Sequence, residues 1–72
     1  MEARVRRCAA HQVMMPNGEV MEMGVVEIRD GVVVDSYPLH GEQPMTEWLG
    51  GKIEIKRDDT GALRAYHQGQ VL

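Results

Sequence analysis

An Asp-Gly pair between two valine-rich runs constrains the fold of this chain more than any other feature. The pair is Asp30-Gly31, and the runs on either side cover residues 24–29 and 32–37. Asp-Gly suits a two-residue type I′ turn because both central residues of that turn need a positive φ. The sequence therefore predicts a β-hairpin with the opposed pairs Arg29–Val32, Ile28–Val33 and Val26–Asp35.

Valines fall on both faces of this hairpin. One face is predicted to carry Val26, Ile28, Val33 and Tyr37, and the other Val25, Glu27, Val32 and Val34. A hairpin that is apolar on both faces is expected to lie centrally in the fold, covered on both sides. Asp35 is the one charged residue on the first side, which indicates a sheet edge or a β-bulge at that point.

A second hairpin is predicted around the turn Asp58-Asp59-Thr60-Gly61. In the preceding run, residues 52–57, Ile53 and Ile55 alternate with Lys52, Glu54 and Lys56. A three-residue loop would then give the opposed pairs Arg57–Leu63, Ile55–Ala65 and Ile53–His67. The core side of this hairpin is predicted to carry Ile53, Ile55, Leu63 and Ala65.

The N-terminal run from Ala3 to Met15 is also predicted to be a strand, followed by a turn at Pro16-Asn17-Gly18. One face would carry Val5, Ala9, His11, Val13 and Met15, and the other Arg4, Arg6, Cys8, Ala10, Gln12 and Met14. Residues 44–49 are predicted to form a single helical turn at most, because proline suits the first turn of a helix. Gly50-Gly51 would end that turn.

These elements predict one all-β domain over residues 1–72, built as a small antiparallel meander of about five strands. Such a sheet closes into a barrel or packs as a two-layer sandwich, and the periodicity does not choose between them. A chain of 72 residues with one cysteine has no internal disulfide to stabilise it. Association with a partner is therefore expected to contribute to its stability.

The charge balance and the hydropathy exclude several classes of protein. The formal net charge is −3, which argues against a protein that binds nucleic acid by neutralising phosphates. The chain carries no secretory signal pattern and no apolar stretch long enough to span a membrane. With its single thiol, these features predict a cytoplasmic location, no nucleic-acid partner and no membrane partner.

The residues that could carry chemistry are scattered. Cys8 and His11 have the spacing of half a metal site, but residues three apart on a strand point to opposite faces. His40 and His67 are each isolated in the sequence. We therefore predict no catalytic residue, no metal ligand and no cofactor.

One irregular segment, residues 42–51, carries the only tryptophan of the chain. Trp48 either closes the end of the barrel or sandwich, as tryptophan is highly buried on average, or serves as an anchor in a binding interface. Methionine adds adaptable apolar surface. The candidate interface residues are therefore Trp48, Leu49 and Met45.

Residues 17–34, with the Asp-Gly turn at their centre, resemble the opening segment of the amidohydrolase superfamily, and the match extends from about Val13 to Leu39. In that segment a strand with apolar residues at alternate positions is followed by an Asp-Gly turn and a second apolar run, which ends at a proline or a glycine. In those metal-dependent hydrolases a small β-domain supports a large barrel that holds the metal. The resemblance implies a free-standing relative of the non-catalytic part, because the His-x-His motif of the barrel is absent.

The sequence favours a non-catalytic β domain that acts by self-association or by docking onto a larger protein. One alternative is a small-molecule-binding or metal-binding accessory fragment related to amidohydrolases. A third is a small barrel that binds nucleic acid, which the acidic charge and sparse aromatic residues disfavour.

Overall fold

The computed structural model describes residues 5–41 and 45–72, and these form seven strands and no helix. The strands are β1 (Val5–Met14), β2 (Val20–Arg29), β3 (Val32–Pro38), β4 (Thr46–Trp48), β5 (Lys52–Arg57), β6 (Leu63–His67) and β7 (Gln70–Val71). They make one mixed sheet in the order β3-β2-β1-β5-β6-β7, with β4 paired to β1 beside this path. The all-β class is confirmed.

Both predicted hairpins are confirmed at their turns. Asp30 and Gly31 have φ values of 53° and 79°, as the type I′ turn requires, and β2 meets β3 with Ile28 opposite Val33. In the second hairpin β5 and β6 are opposed in the predicted register throughout, including Ile55 with Ala65.

The predicted topology is wrong in three respects. The described residues make seven strands rather than five, and β1 runs parallel to both β4 and β5, so the sheet is not an antiparallel meander. The sheet is also not closed into a barrel. Turn signals report only on neighbouring strands, whereas the β1–β5 pairing joins segments about forty residues apart.

A β-bulge in β3 corrects the predicted faces of the first hairpin. The register shifts beside Ile28, which leaves Val34 without an opposed residue and sets Asp35 opposite Glu27 and Tyr37 opposite Val25. The predicted Val26–Asp35 pair is therefore wrong, and Tyr37 lies on the face of Val25 rather than that of Val26. The bulge lets Asp35 leave the core face.

The curved sheet encloses a single core. Its cluster comprises Cys8, Ala10, Val13, Val26, Ile28, Val33, Ile53, Ile55 and Ala65. On β1 the core side passes from Ala10 directly to Val13, so the predicted alternation breaks there. Opposite this break, Met23 has φ 54° and the ladder lacks the His11–Met23 pair. Val13 consequently shares the core with Cys8, not with His11.

Glycine is required at position 24 beside this break. A Cβ at Gly24 would lie 2.6 Å from Cγ2 of Val13, closer than real side chains approach each other. The close approach lets Val13 turn into the core, where it is fully buried.

The predicted helical turn over residues 44–49 is wrong in its described part, because Thr46–Trp48 is strand β4. Pro44 lies outside the described residues, as do Ala3 and Arg4 of the predicted first strand. The short strand forms because β1 offers it a free edge at residues 7–9, ahead of the point where β5 begins to pair.

Candidate association surface

A row of four residues crosses the outer face of the sheet, opposite the core. Trp48 on β4 lies beside Ala9 on β1, Ala9 opposite Val25 on β2, and Val25 opposite Tyr37 on β3. Residues opposed in a ladder share a face. We call these four residues the outer row. Ala9 and Val25 are fully buried yet stand outside the core cluster, so side chains on the outer face cover them.

Trp48 is the exposed end of the outer row. Its relative exposure is 51%, so the prediction that it closes the end of a barrel or sandwich is wrong. The indole meets the His11 ring edge to face, with ring centroids 4.8 Å apart and an interplanar angle of 78°. The backbone beside it is fixed, because the Leu49 N–H donates to the Ala9 carbonyl at 2.8 Å. Trp48 is thus exposed and held in one place.

Two histidines hold the turn that follows Trp48. This turn, Gly50–Gly51, which we call the glycine turn, has φ values of 70° and 61°, a conformation that glycine adopts without strain. The Gly51 N–H donates to Nδ1 of His11 at 3.1 Å, and Nε2 of His67 lies 3.0 Å from the Gly50 carbonyl oxygen. The Gly51 carbonyl in turn accepts the Gln12 N–H at 3.1 Å.

The other two predicted interface residues are placed differently from Trp48. Met45 is 86% exposed and lines an open groove with Val5 and Arg6 near the start of β1. Leu49 is half-buried and packs against the core cluster. Leu49 therefore contributes mainly to the packing beneath β4, whereas Trp48 and Met45 present apolar surface to solvent.

A network of charged and phenolic groups lies next to the outer row. Glu27 Oε2 accepts from the Tyr37 hydroxyl at 2.5 Å and from Arg7 Nε at 3.2 Å. The hydrogen bond from Tyr37, followed by the bond from Arg7, lowers the pKa of the Glu27 carboxyl, and the carboxylate raises the pKa of Tyr37. The network satisfies these polar groups and fixes the tyrosine ring at the far end of the row.

The core side of β4 carries an ion pair over the only cysteine. Glu47 accepts from Arg6 Nε at 2.6 Å and from Arg6 Nη2 at 3.3 Å, and Cys8 Sγ lies 3.8 Å from the same carboxylate. The bond from Arg6 lowers the pKa of Glu47. Burial is the main cause that raises the pKa of the Cys8 thiol. The protonated thiol is therefore the favoured form, which is the unreactive one.

The residues considered as metal ligands are not brought together. Cys8 lies in the core and His11 on the outer face, as their spacing on a strand predicts. Within residues 5–41 and 45–72 no group of three or more His, Cys, Asp or Glu side chains could hold a metal ion. The absence of a metal from the protein stays a prediction.

Sequence analysis missed the two histidine contacts and the network at Glu27. A Gly-Gly pair indicates a turn, but nothing in the sequence shows that residues 11 and 67 converge on it from separate strands. The Tyr37–Glu27 contact depends on the β-bulge. In the sequence, the charge of Asp35 indicated either a bulge or a sheet edge and did not choose between them.

The sequence matches no family model, and neither a curated protein nor a solved structure is similar enough to count as a match. In the part of the chain that the structure describes, none of the secondary structure is a helix that could cross a bilayer.

Proposed function

We propose that this chain is a non-catalytic β domain that works by association, and that its partner is a second copy of itself. The proposal rests mainly on Trp48, which is half exposed but is fixed on the outer face by its contact with His11 and by the backbone pairing of β4 with β1. Tryptophan is enriched among the residues that dominate binding energy, and an ordered side chain loses little entropy on binding. Docking onto a larger protein is the alternative.

The small core supports a partner of this kind. Three of the nine residues in the cluster are small, namely Cys8, Ala10 and Ala65, so the core supplies limited apolar burial. The lone thiol leaves no disulfide to offset the cost of ordering the chain. Covering Trp48 and its neighbours with a second copy would add the burial that one copy lacks.

The outer face is a better candidate for association than the β3 edge of the sheet. Along that edge Pro38 has no N–H and the Ser36 N–H is taken by Asp35 Oδ1 at 2.8 Å, and in the turn before β3 the Gly31 carbonyl accepts from Arg64 Nη1 at 2.9 Å. Proline, inward hydrogen bonds and a bulge are features that prevent strand addition. At Ser36 and Pro38 an incoming strand would therefore find no free N–H donor.

The non-catalytic part of the proposal is supported by the state of the titratable groups. The Cys8 thiol is buried and held in its protonated form, while Glu27, Glu47 and Asp58 are each engaged by a cation or a hydroxyl donor. Covalent catalysis needs at least a nucleophile and a base that are free to react in one accessible cleft, and the four groups named here are engaged in other contacts.

Light scattering after size exclusion, over a dilution series, tests the proposal. We expect the wild-type chain to be a dimer at high concentration and Trp48→Ala to be shifted towards monomer. Val34→Ala is the matched control, because Val34 is 53% exposed but lies at the β3 bulge. A wild-type chain that stays monomeric throughout would contradict self-association. The docking alternative then predicts a protein captured from the native host by the wild-type chain and not by Trp48→Ala.

A further inference from the structure

His11 connects Trp48 to the glycine turn through an atom whose role depends on protonation. Its Nδ1 accepts the Gly51 N–H at 3.1 Å while its ring contacts the indole of Trp48. A neutral imidazole has one nitrogen that accepts and one that donates, whereas both nitrogens of the cation carry protons. The bond from Gly51 therefore exists only while His11 is neutral.

We propose that His11 is a proton-controlled latch that holds the glycine turn, and with it β4 and Trp48, against the sheet. Imidazole changes its charge in the range of about pH 5 to 8. Protonation sets the Nδ1–H against the Gly51 N–H, so this side of the turn loses one of its two bonds to β1 and keeps only the bond from the Gln12 N–H to the Gly51 carbonyl. β4 has only three residues, and besides the glycine turn it is held by its pairing with β1, by the bond from the Leu49 N–H to Ala9 and by the Arg6–Glu47 ion pair.

His67 holds the opposite side of the glycine turn without this sensitivity. The Gly50 carbonyl only accepts, so Nε2 of His67 must donate across the 3.0 Å that separates them. The cation carries the same Nε2 proton as the neutral tautomer that makes this bond. Acid therefore leaves the His67 contact intact, and the proton sensitivity of the turn resides in His11.

The other titratable groups around His11 do not replace its acceptor. On β2, Glu22 is bonded to the Gln12 side chain at 3.3 Å. On β5, Lys52 lies beside Gln12, and on β4, Glu47 is held by Arg6 on the core side. One carboxylate and one ammonium thus flank the Gln12 position, and neither is bonded to the Gly51 N–H.

The latch deepens the proposed association, since it would regulate the surface that carries Trp48. An open latch loosens the turn that follows Trp48, so the indole is held less firmly in its position on the outer face. Association through Trp48 is then expected to weaken in acid. Only this consequence rests on the proposed function, because the latch itself is a property of a single chain.

NMR spectroscopy of the full chain across the imidazole titration tests the latch. We expect the Gly51 amide proton resonance to move together with the His11 ring resonances. Leu49, whose N–H is bonded to Ala9, should lose protection from hydrogen exchange by about threefold to tenfold, as expected for one lost hydrogen bond. A Gly51 resonance that stays fixed while His11 titrates would overturn the proposal.

Three variants sharpen the test. His11→Asn places an amide oxygen near the position of Nδ1 and keeps an acceptor at every pH, so the response should disappear with the latch closed. His11→Ala should leave it open at every pH. His67→Gln keeps a donor near the position of Nε2 and should retain the wild-type response. An unchanged pH response in His11→Asn would also overturn the latch.

Light scattering on the same samples separates this proposal from the proposed function. A strict monomer whose Gly51 resonance titrates with His11 overturns self-association and supports the latch. A dimer lost in Trp48→Ala but with a Gly51 resonance insensitive to His11 supports association and overturns the latch.

Discussion

The two turns that flank β5 are fixed by different chemistry. Asp58–Gly61, the acidic turn that follows β5, is held by one carboxylate: Asp58 Oδ1 accepts from the Thr60 N–H, the Thr60 hydroxyl and the Ala62 N–H at 2.6–3.0 Å. The glycine turn that precedes β5 is held by two imidazoles from β1 and β6. A carboxylate keeps its acceptors through the neutral range, whereas an imidazole loses one within it.

The acidic turn is also connected to the rest of the sheet. Arg64 Nε donates to Asp58 Oδ2 at 2.8 Å, and its Nη1 donates to the Gly31 carbonyl at 2.9 Å. One guanidinium thus links the β5–β6 turn to the β2–β3 turn, although β3 and β6 form no ladder. The comparison indicates a rigid corner at Asp58, Arg64 and Gly31, and an adjustable side at β4.

Gly31→Val is expected to have the largest effect on stability, because it strains the backbone at this corner and also crowds the Arg64 side chain. Gly31 has φ 79°, which a β-branched residue resists, and a Cβ there would lie 2.7 Å from Arg64 Nη1. We expect a loss of about 2–4 kcal/mol in the free energy of unfolding, measured by urea titration. Gly61→Val is the control, since Gly61 has φ 85° but open space around its Cβ position. Equal losses in the two variants would show that Arg64 contributes nothing.

The second-largest effect is expected from acid, which should weaken the acidic turn. Hydrogen bonds from Thr60, and then from Arg64, lower the pKa of Asp58 far below its ordinary value of 3.8. A lowered pKa means stability that is present above the ordinary value and is lost as the pH falls towards the folded one. We expect the Tm of the wild type to drop below about pH 4, and that of Asp58→Asn to start lower at neutral pH and drop less. Parallel curves would contradict this assignment.

Local chemistry explains which parts of the fold were predictable. Both hairpins were predicted in their registers near the turns, because Asp30-Gly31 and the Asp58 turn restrict backbone angles within a few residues. The β1–β5 pairing was not, because no local signal joins segments so far apart. Strand β4 has three residues, too few to display an alternation.

The sequence singled out Trp48 as a candidate interface residue, but it did not predict the exposure or the contacts of this side chain. Trp48 stood out as the only tryptophan, in an irregular segment. Its exposure depends on which face of β4 meets the outside once β4 pairs with Ala9 of β1, and that register is not local. The contact with His11 follows from the same pairing.

Trp48→Ala should destabilise one chain less than the changes at the corner. The indole is half exposed, so its loss removes only part of the cover of Ala9 and Val25. We expect about 1–2 kcal/mol in the free energy of unfolding at high dilution, where association does not contribute. A buried tryptophan would cost about 3–5 kcal/mol. A loss of that size would mean that the indole supports the fold rather than an interface.

Replacing Gly51 or Gly31 by asparagine should give the smallest effects, and it compares the glycine turn directly with the β2–β3 turn. Asparagine tolerates positive φ better than other residues with a Cβ, so Gly51→Asn at φ 61° should cost less than about 1 kcal/mol. Its Cβ would lie 3.7 Å from His67 Nε2, an ordinary contact, and its N–H would still reach His11. Gly31→Asn meets Arg64 Nη1 at 2.7 Å, so the guanidinium must move and give up the Gly31 carbonyl. We therefore expect Gly31→Asn to cost about 1 kcal/mol more than Gly51→Asn in the same urea titrations. If Gly51→Asn costs more, the glycine turn is the more constrained of the two, and the adjustable side of the molecule lies elsewhere.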